Sequence, residues 1–150
     1  MLNNMSTTEQ RTNLASDLRV SVARLARRLR TARADHGLTL GQISMLVTLE
    51  KHGAMTAGEL AAHEGIRPPS VTRTLATLDE VGLIARSVGD ADRRQSVITI
   101  TPAAEALLYE DRRRRDALLA DLLEGLSPEQ RQVLADAAPL LDHLAGSDLA

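Results

Sequence analysis

Pro69, Ser70, Arg73 and Thr77 fall on one side of a stretch whose other side carries Val71, Leu75 and Leu78. Those three are spaced by four and three, the spacing of one buried helix face. A face of small hydroxyls and one arginine, free of bulky or acidic groups near its start, can enter the major groove of DNA and meet base edges there. Acid comes only late, at Asp79 and Glu80. Arg67, just ahead of the helix, can address nearby phosphates, and Thr72 points sideways between the two faces. A second group follows in the run 88–94, Val-Gly-Asp-Ala-Asp-Arg-Arg. Adjacent Arg93 and Arg94 suit insertion into a narrow minor groove, because a weakly hydrated guanidinium sheds its water readily. Asp92 is placed to hold one of them.

Other chemistries find little to use. Zero cysteine removes disulfides, thiolate ligands and thiol redox sensing together. His36, His52, His63 and His143 are scattered without a ligand spacing, so they read as surface or helix-end residues and no metal site is expected. No glycine-rich phosphate loop is visible, and Ser70 has no neighbouring His or acid to make it a nucleophile. Neither an enzyme nor a cofactor is expected. Phe and Trp are absent and Tyr109 is the sole aromatic, which excludes an aromatic platform for stacking bases and leaves Leu, Ala, Val, Ile and Met to pack the core.

The elements that must position these residues can be read on either side of them. Thr56 and Glu59 form a capping box that opens a short helix with Ala57, Leu60 and Ala61 on its apolar side, and Gly65 stops it. The groove-compatible helix runs over about 68–81 and ends at Gly82, a left-handed terminator. Residues 83–87 and 95–101 read as strands, the second rich in β-branched Val97, Ile98, Thr99 and Ile100, with the arginines at the hairpin tip between them. Two short helices followed by a hairpin is the order of a winged helix-turn-helix, here assigned to residues 38–101.

Four stretches carry a resemblance to a known family: Pro-Pro-Ser-Val-Thr-Arg-Thr-Leu (68–75), Leu-Asp-Glu-Val-Gly-Leu-Ile-Ala-Arg (78–86), Asp-Arg-Arg (92–94) and Ile-Thr-Ile-Thr-Pro (98–102). Together they resemble the MarR family of winged-helix transcription regulators, over roughly residues 14–145. The Asp-x-Arg wing after a Gly-Leu-x-x-Arg strand is fairly specific; the helix-turn-helix spacing alone is generic. The resemblance implies a homodimeric regulator of double-stranded DNA, mostly α with a small β-hairpin wing and a helical dimerisation base. It implies a repressor released by a small apolar or anionic ligand, with Thr72 and Arg86 as polar contacts in a crevice near the DNA-reading helix, Arg86 being suited to pair with a carboxylate. The plain alternative for that crevice is ordinary core. Where the family usually has a glycine early in the helix after the wing, Ala104 and Glu105 stand instead.

The rest of the chain reads as scaffold. Residues 1–13 are polar with no apolar leader and are expected to be a loose tail. Over 14–35, Leu14, Leu18, Val22, Leu25 and Leu29 make a continuous apolar stripe, and the outer face is arginine-rich. Such a run is ordinarily solvated surface, with phosphate contact the alternative. His36 and Gly37 end that helix, and another follows over 39–52. After Thr101-Pro102 a leucine stripe continues to Gly125, and Ser127 with Gln130 caps a last helix in which Pro139 should produce a kink or break. Arg112 to Arg115 lie among Glu110, Asp111 and Asp116, so surface ion pairs are expected of them.

Residues 14–37 and 102–150 have more apolar face than one winged helix can cover, which calls for a second copy. Charge is uneven: from Ala103 onward ten acidic side chains stand against five basic, a balance of −5, so a chain of net −2 carries +3 in the remainder. That is compatible with DNA binding, which depends on where charge sits. No stretch is apolar enough to span a membrane, and a cytoplasmic location is expected. The rival reading is a winged helix used for protein contact or dimerisation, which would have no need of arginines at the wing tip.

Overall fold

The computed structural model describes residues 7–88 and 96–146. In order, the elements are α1 (Thr7–Arg30), α2 (Leu40–His52), β1 (Met55–Thr56), α3 (Ala57–Glu64), α4 (Pro68–Glu80), β2 (Ile84–Val88), β3 (Ser96–Ile100), α5 (Pro102–Glu124) and α6 (Pro128–Leu144). They form two compact units, Ala34–Arg113 and the remainder, Met1–Arg33 with Arg114–Ala150.

Ala34–Arg113 is a winged helix. Its core is aliphatic throughout, built on Leu46 and Leu49 of α2, Leu60 of α3, Val71, Leu75 and Leu78 of α4, and Ile98 of β3. The unit is wider than the 38–101 expected from the sequence, because Ala104 and Leu108 of α5 are buried in this same core. Ala104 is fully buried, so a residue hardly larger than the family's usual glycine suits the position.

The expected hairpin is present, with Ile84 opposite Ile100 and Val88 opposite Ser96. The sheet has a third strand, however, in the order β1-β3-β2. Met55 pairs with Ile98 and Thr56 with Val97, so the residues that introduce α3 also close the open edge of the wing. Helix starts are fixed chemically. Thr39 with Gln42 and Thr56 with Glu59 form reciprocal capping boxes, each hydroxyl accepting the backbone N–H three residues on.

In the other unit α1 begins at Thr7, inside the stretch expected to be tail. Glu9 sits in its first turn, where the positive end of the helix favours acid, and the Thr12 hydroxyl donates to Thr8 O at 3.0 Å. The helix ends at Arg30 instead of continuing to 35, tightening into i−3 bonds from Thr31, Ala32 and Arg33. α6 opens on the expected Ser127–Gln130 box and runs unbroken through Pro139. The break expected there is absent: proline removes one backbone donor, and its exposed ring leaves the remaining turns in place. No residue of α1 or α6 is buried, and Leu18 and Val22 of α1 line a groove of about 560 Å³ with Leu141 and Leu144 of α6. Among the described residues no helix is long and apolar enough to cross a membrane.

Candidate nucleic-acid interface

The turn that delivers α4 is built from backbone chemistry. Gly65 takes φ of 63°, a left-handed conformation open to glycine, and Ile66 N–H returns to Ala61 O at 3.2 Å, closing α3. Arg67 then extends the chain, and Pro68 and Pro69 occupy the first turn of α4, where missing N–H groups cost nothing because they would have no partner within the helix. Val71, Leu75 and Leu78, buried to 1% exposure or less, fix the rotation of α4 about its axis.

That rotation leaves Arg67, Pro69, Ser70, Thr72, Arg73 and Thr77 all exposed. Arg67 and Arg73 make no ion pair among the described residues, and the Ser70 hydroxyl makes no hydrogen bond there. The threonines differ. Thr72 Oγ1 donates to Pro68 O at 3.1 Å and Thr77 Oγ1 to Arg73 O at 3.3 Å, turning their hydroxyl protons onto the helix itself. They therefore offer acceptor lone pairs and methyl groups outward, the complement of exocyclic amines and the thymine methyl.

Beyond the far end of α4, Arg86 of β2 donates from Nε to Asp79 Oδ2 at 3.1 Å. The arginine expected to meet a ligand carboxylate already has one. Asp92, Arg93 and Arg94 lie outside the described residues, in the segment bounded by Val88 and Ser96.

Several contacts that hold this surface left no mark in the sequence pattern. Glu64 at the end of α3 accepts from Ser44 Oγ at 2.7 Å and Thr48 Oγ1 at 2.5 Å, clipping α3 to α2. Arg112 of α5 reaches Glu50 of α2 and does not serve only its own helix; Arg113 makes the expected kind of surface pair, 3.8 Å from Glu110. Asp111, expected among those surface pairs, is instead buried at 1% exposure, 2.9 Å from His36 Nε2. His36 is half-buried, its side chain 11% exposed against that carboxylate, and lies beyond the end of α1. The His52 and His63 rings lie 4.5 Å apart, and among the described residues no group of three or more His, Cys, Asp or Glu can hold a metal ion.

The family model of the MarR family matches residues 38–96. Over 128 residues the chain is 40% identical to an uncharacterised helix-turn-helix transcriptional regulator of Mycobacterium leprae, covering 85% of this chain and 90% of that protein. The chain belongs to the MarR family. It is a DNA-binding transcriptional regulator, and the family is not one of enzymes. A crystal structure from Pseudomonas aeruginosa, assigned to the transcriptional regulators, superposes with a TM-score of 0.81 at 32% identity, covering 93% of this chain and 99% of that one. Staphylococcus aureus MepR, bound to an oligodeoxyribonucleotide, shares the fold with a TM-score of 0.69 at 22% identity, covering 87% and 97%, and MepR is also known bound to ethidium.

Proposed function

We propose that this MarR-family protein is a homodimeric repressor that reads a pseudo-palindromic operator and leaves it when a small apolar or anionic ligand binds. The exposed face of α4 carries the reading: Arg67, Pro69, Ser70, Thr72, Arg73 and Thr77 share a surface held in place by a buried Val-Leu-Leu stripe. Ser70, Thr72, Arg73 and Thr77 address base edges in the major groove, Arg67 and Pro69 approach the adjoining backbone, and Arg93 and Arg94, with Asp92 orienting one of them, enter the neighbouring minor groove. The MepR–oligonucleotide complex supports this use of the fold.

The dimer is supported by the apolar groove between α1 and α6, where Leu18, Val22, Leu141 and Leu144 stay exposed in a single chain. A second copy covers such a surface, and a two-fold dimer calls for a two-fold operator with half-sites about one helical turn, roughly 34 Å, apart. For the ligand, Thr72 and Arg86 are the polar contacts, and MepR bound to ethidium supports a small-molecule site on the fold. A ligand acts here only by preferring the DNA-incompetent form.

Fluorescence anisotropy with a duplex of the region upstream of the chain's own gene tests the reading. Salt-sensitive, saturable binding that competitor DNA does not abolish, and that Arg73→Ala weakens, is the expected result. Equal affinity for that duplex and a scrambled one would overturn operator recognition.

A further inference from the structure

The chain enters the winged-helix unit at Ala34 and leaves it after Arg113, and one carboxylate holds both ends. Asp111 stands two residues before the exit, and its Oδ1 accepts the N–H of Ala34 at 3.0 Å. Its Oδ2 is 2.9 Å from His36 Nε2, while the N–H of Leu38 donates to His36 Nδ1 at 3.1 Å. Since Nδ1 accepts, the proton of the neutral ring must sit on Nε2 and point at Asp111; only that tautomer satisfies both bonds. The bonded series ends at Leu38, which packs against the core beside Thr39, the cap of α2.

Asp111 is the only charged side chain buried among the described residues. A carboxylate out of water is costly unless its oxygens are hydrogen-bonded, and an apolar side chain of similar volume would pack there without that cost. Adhesion does not account for it. What a leucine cannot supply is direction: bonds to one backbone N–H and one ring nitrogen that fix the path of the incoming chain over α5.

We propose that Asp111 is a positioning residue for operator binding. With His36 it clasps the incoming and outgoing chain of the winged-helix unit, and so fixes the attachment on which the spacing of two such units on one operator depends. The inference rests on the dimeric operator reading above. Asp111 and His36 touch no DNA in this account; they act on affinity for two half-sites at once.

The test uses the full chain and, after footprinting the upstream region to locate the half-sites, two duplexes made from it, one with both half-sites intact and one with a half-site scrambled. Asp111→Asn and His36→Ala are each expected to weaken binding to the intact duplex about ten-fold and to the single half-site less than about two-fold. His36→Gln, whose amide can donate from near the Nε2 position, should recover most of the loss. Long-range proton–nitrogen NMR of the wild type should report the Nε2–H tautomer at neutral pH. Equal losses on both duplexes, wild-type affinity for all variants, no rescue by glutamine, or the Nδ1–H tautomer would each overturn the proposal. Should Asp111→Asn fail to fold by circular dichroism, the His36 pair and the tautomer carry the test. A wild-type chain that binds the two duplexes equally would overturn the dimeric reading instead, and the tautomer would still decide whether the clasp exists.

Discussion

Arg112 grips Glu50 with both terminal nitrogens, Nη1 at 2.6 Å from Oε2 and Nη2 at 3.0 Å from Oε1, joining α5 to α2 across the winged-helix core. The hydrogen bond to the guanidinium, helped by its charge and opposed by partial burial, holds the Glu50 carboxyl below its ordinary value of 4.5. A carboxyl depressed in the folded state contributes stability that is fully present above the unfolded value and disappears as pH falls through the folded one. The pair is partly exposed and screened by solvent, so Arg112→Ala should cost no more than about 1 kcal/mol at neutral pH. In acid well below the ordinary carboxylate range the two proteins should unfold alike. Urea unfolding at both pH values checks it, and a gap that persists in acid would assign the loss to packing of the arginine stem.

The same substitution separates the wing from the arginine run of α5. Arg94→Ala should weaken operator binding by about 1–3 kcal/mol, the cost of losing one specific groove contact, whereas Arg112→Ala, whose side chain is engaged with Glu50, should do much less. Anisotropy at a single salt concentration makes the comparison. Equal losses would mean that the run 112–115 holds DNA.

What the sequence disclosed, and what it hid, follows from how far each signal reaches. The α3–α4 pair and the β2–β3 hairpin were legible because capping boxes, the 71/75/78 spacing and β-branched runs are local. β1 is two residues long, too short to show alternation, and its partner Ile98 lies 43 positions away from Met55. Asp111 sits in a run of charged residues that looks like solvated surface, and only the fold brings Ala34 and His36 to it. The first two turns of α1 carry no apolar stripe before Leu14, so periodicity could not find them.

Arg86 and Asp79 bear on the proposed ligand. An anionic effector that uses Arg86 must compete with the Asp79 carboxylate 3.1 Å from Nε. Asp79→Asn should therefore tighten binding of salicylate-like acids, by about two- to five-fold given the small worth of an exposed ion pair. Isothermal titration of the DNA-free protein reads this directly. Unchanged affinity would remove Arg86 from the ligand site and leave its pairing as a strut between β2 and α4.

Oxidation offers a negative prediction. With no cysteine, and with Met45 and Met55 buried at 1% and 5% exposure, low-dose peroxide should leave DNA affinity unchanged. A prompt loss that a reductant reverses would require a different oxidisable group.

Removing residues 127–150 tests the helical base. Those residues include all of α6, whose Leu141 and Leu144 face Leu18 and Val22 of α1 across the shared groove. Leu14, Leu18, Val22 and Leu25 of α1 are already exposed in a single chain, and without α6 they lose the groove's other wall as well, leaving a surface that aggregates or seeks another partner. Light scattering should show the proposed dimer replaced by monomer or by aggregate. Operator affinity should fall with it, because two half-sites held by one body gain an effective concentration that separate chains lack, while affinity for a single half-site should stay nearly constant for whatever monomer remains. A truncated protein that stays dimeric and keeps its operator affinity would place the dimer contact on α1 and α5 alone, and the α1–α6 groove would then have to be covered by something other than a second copy.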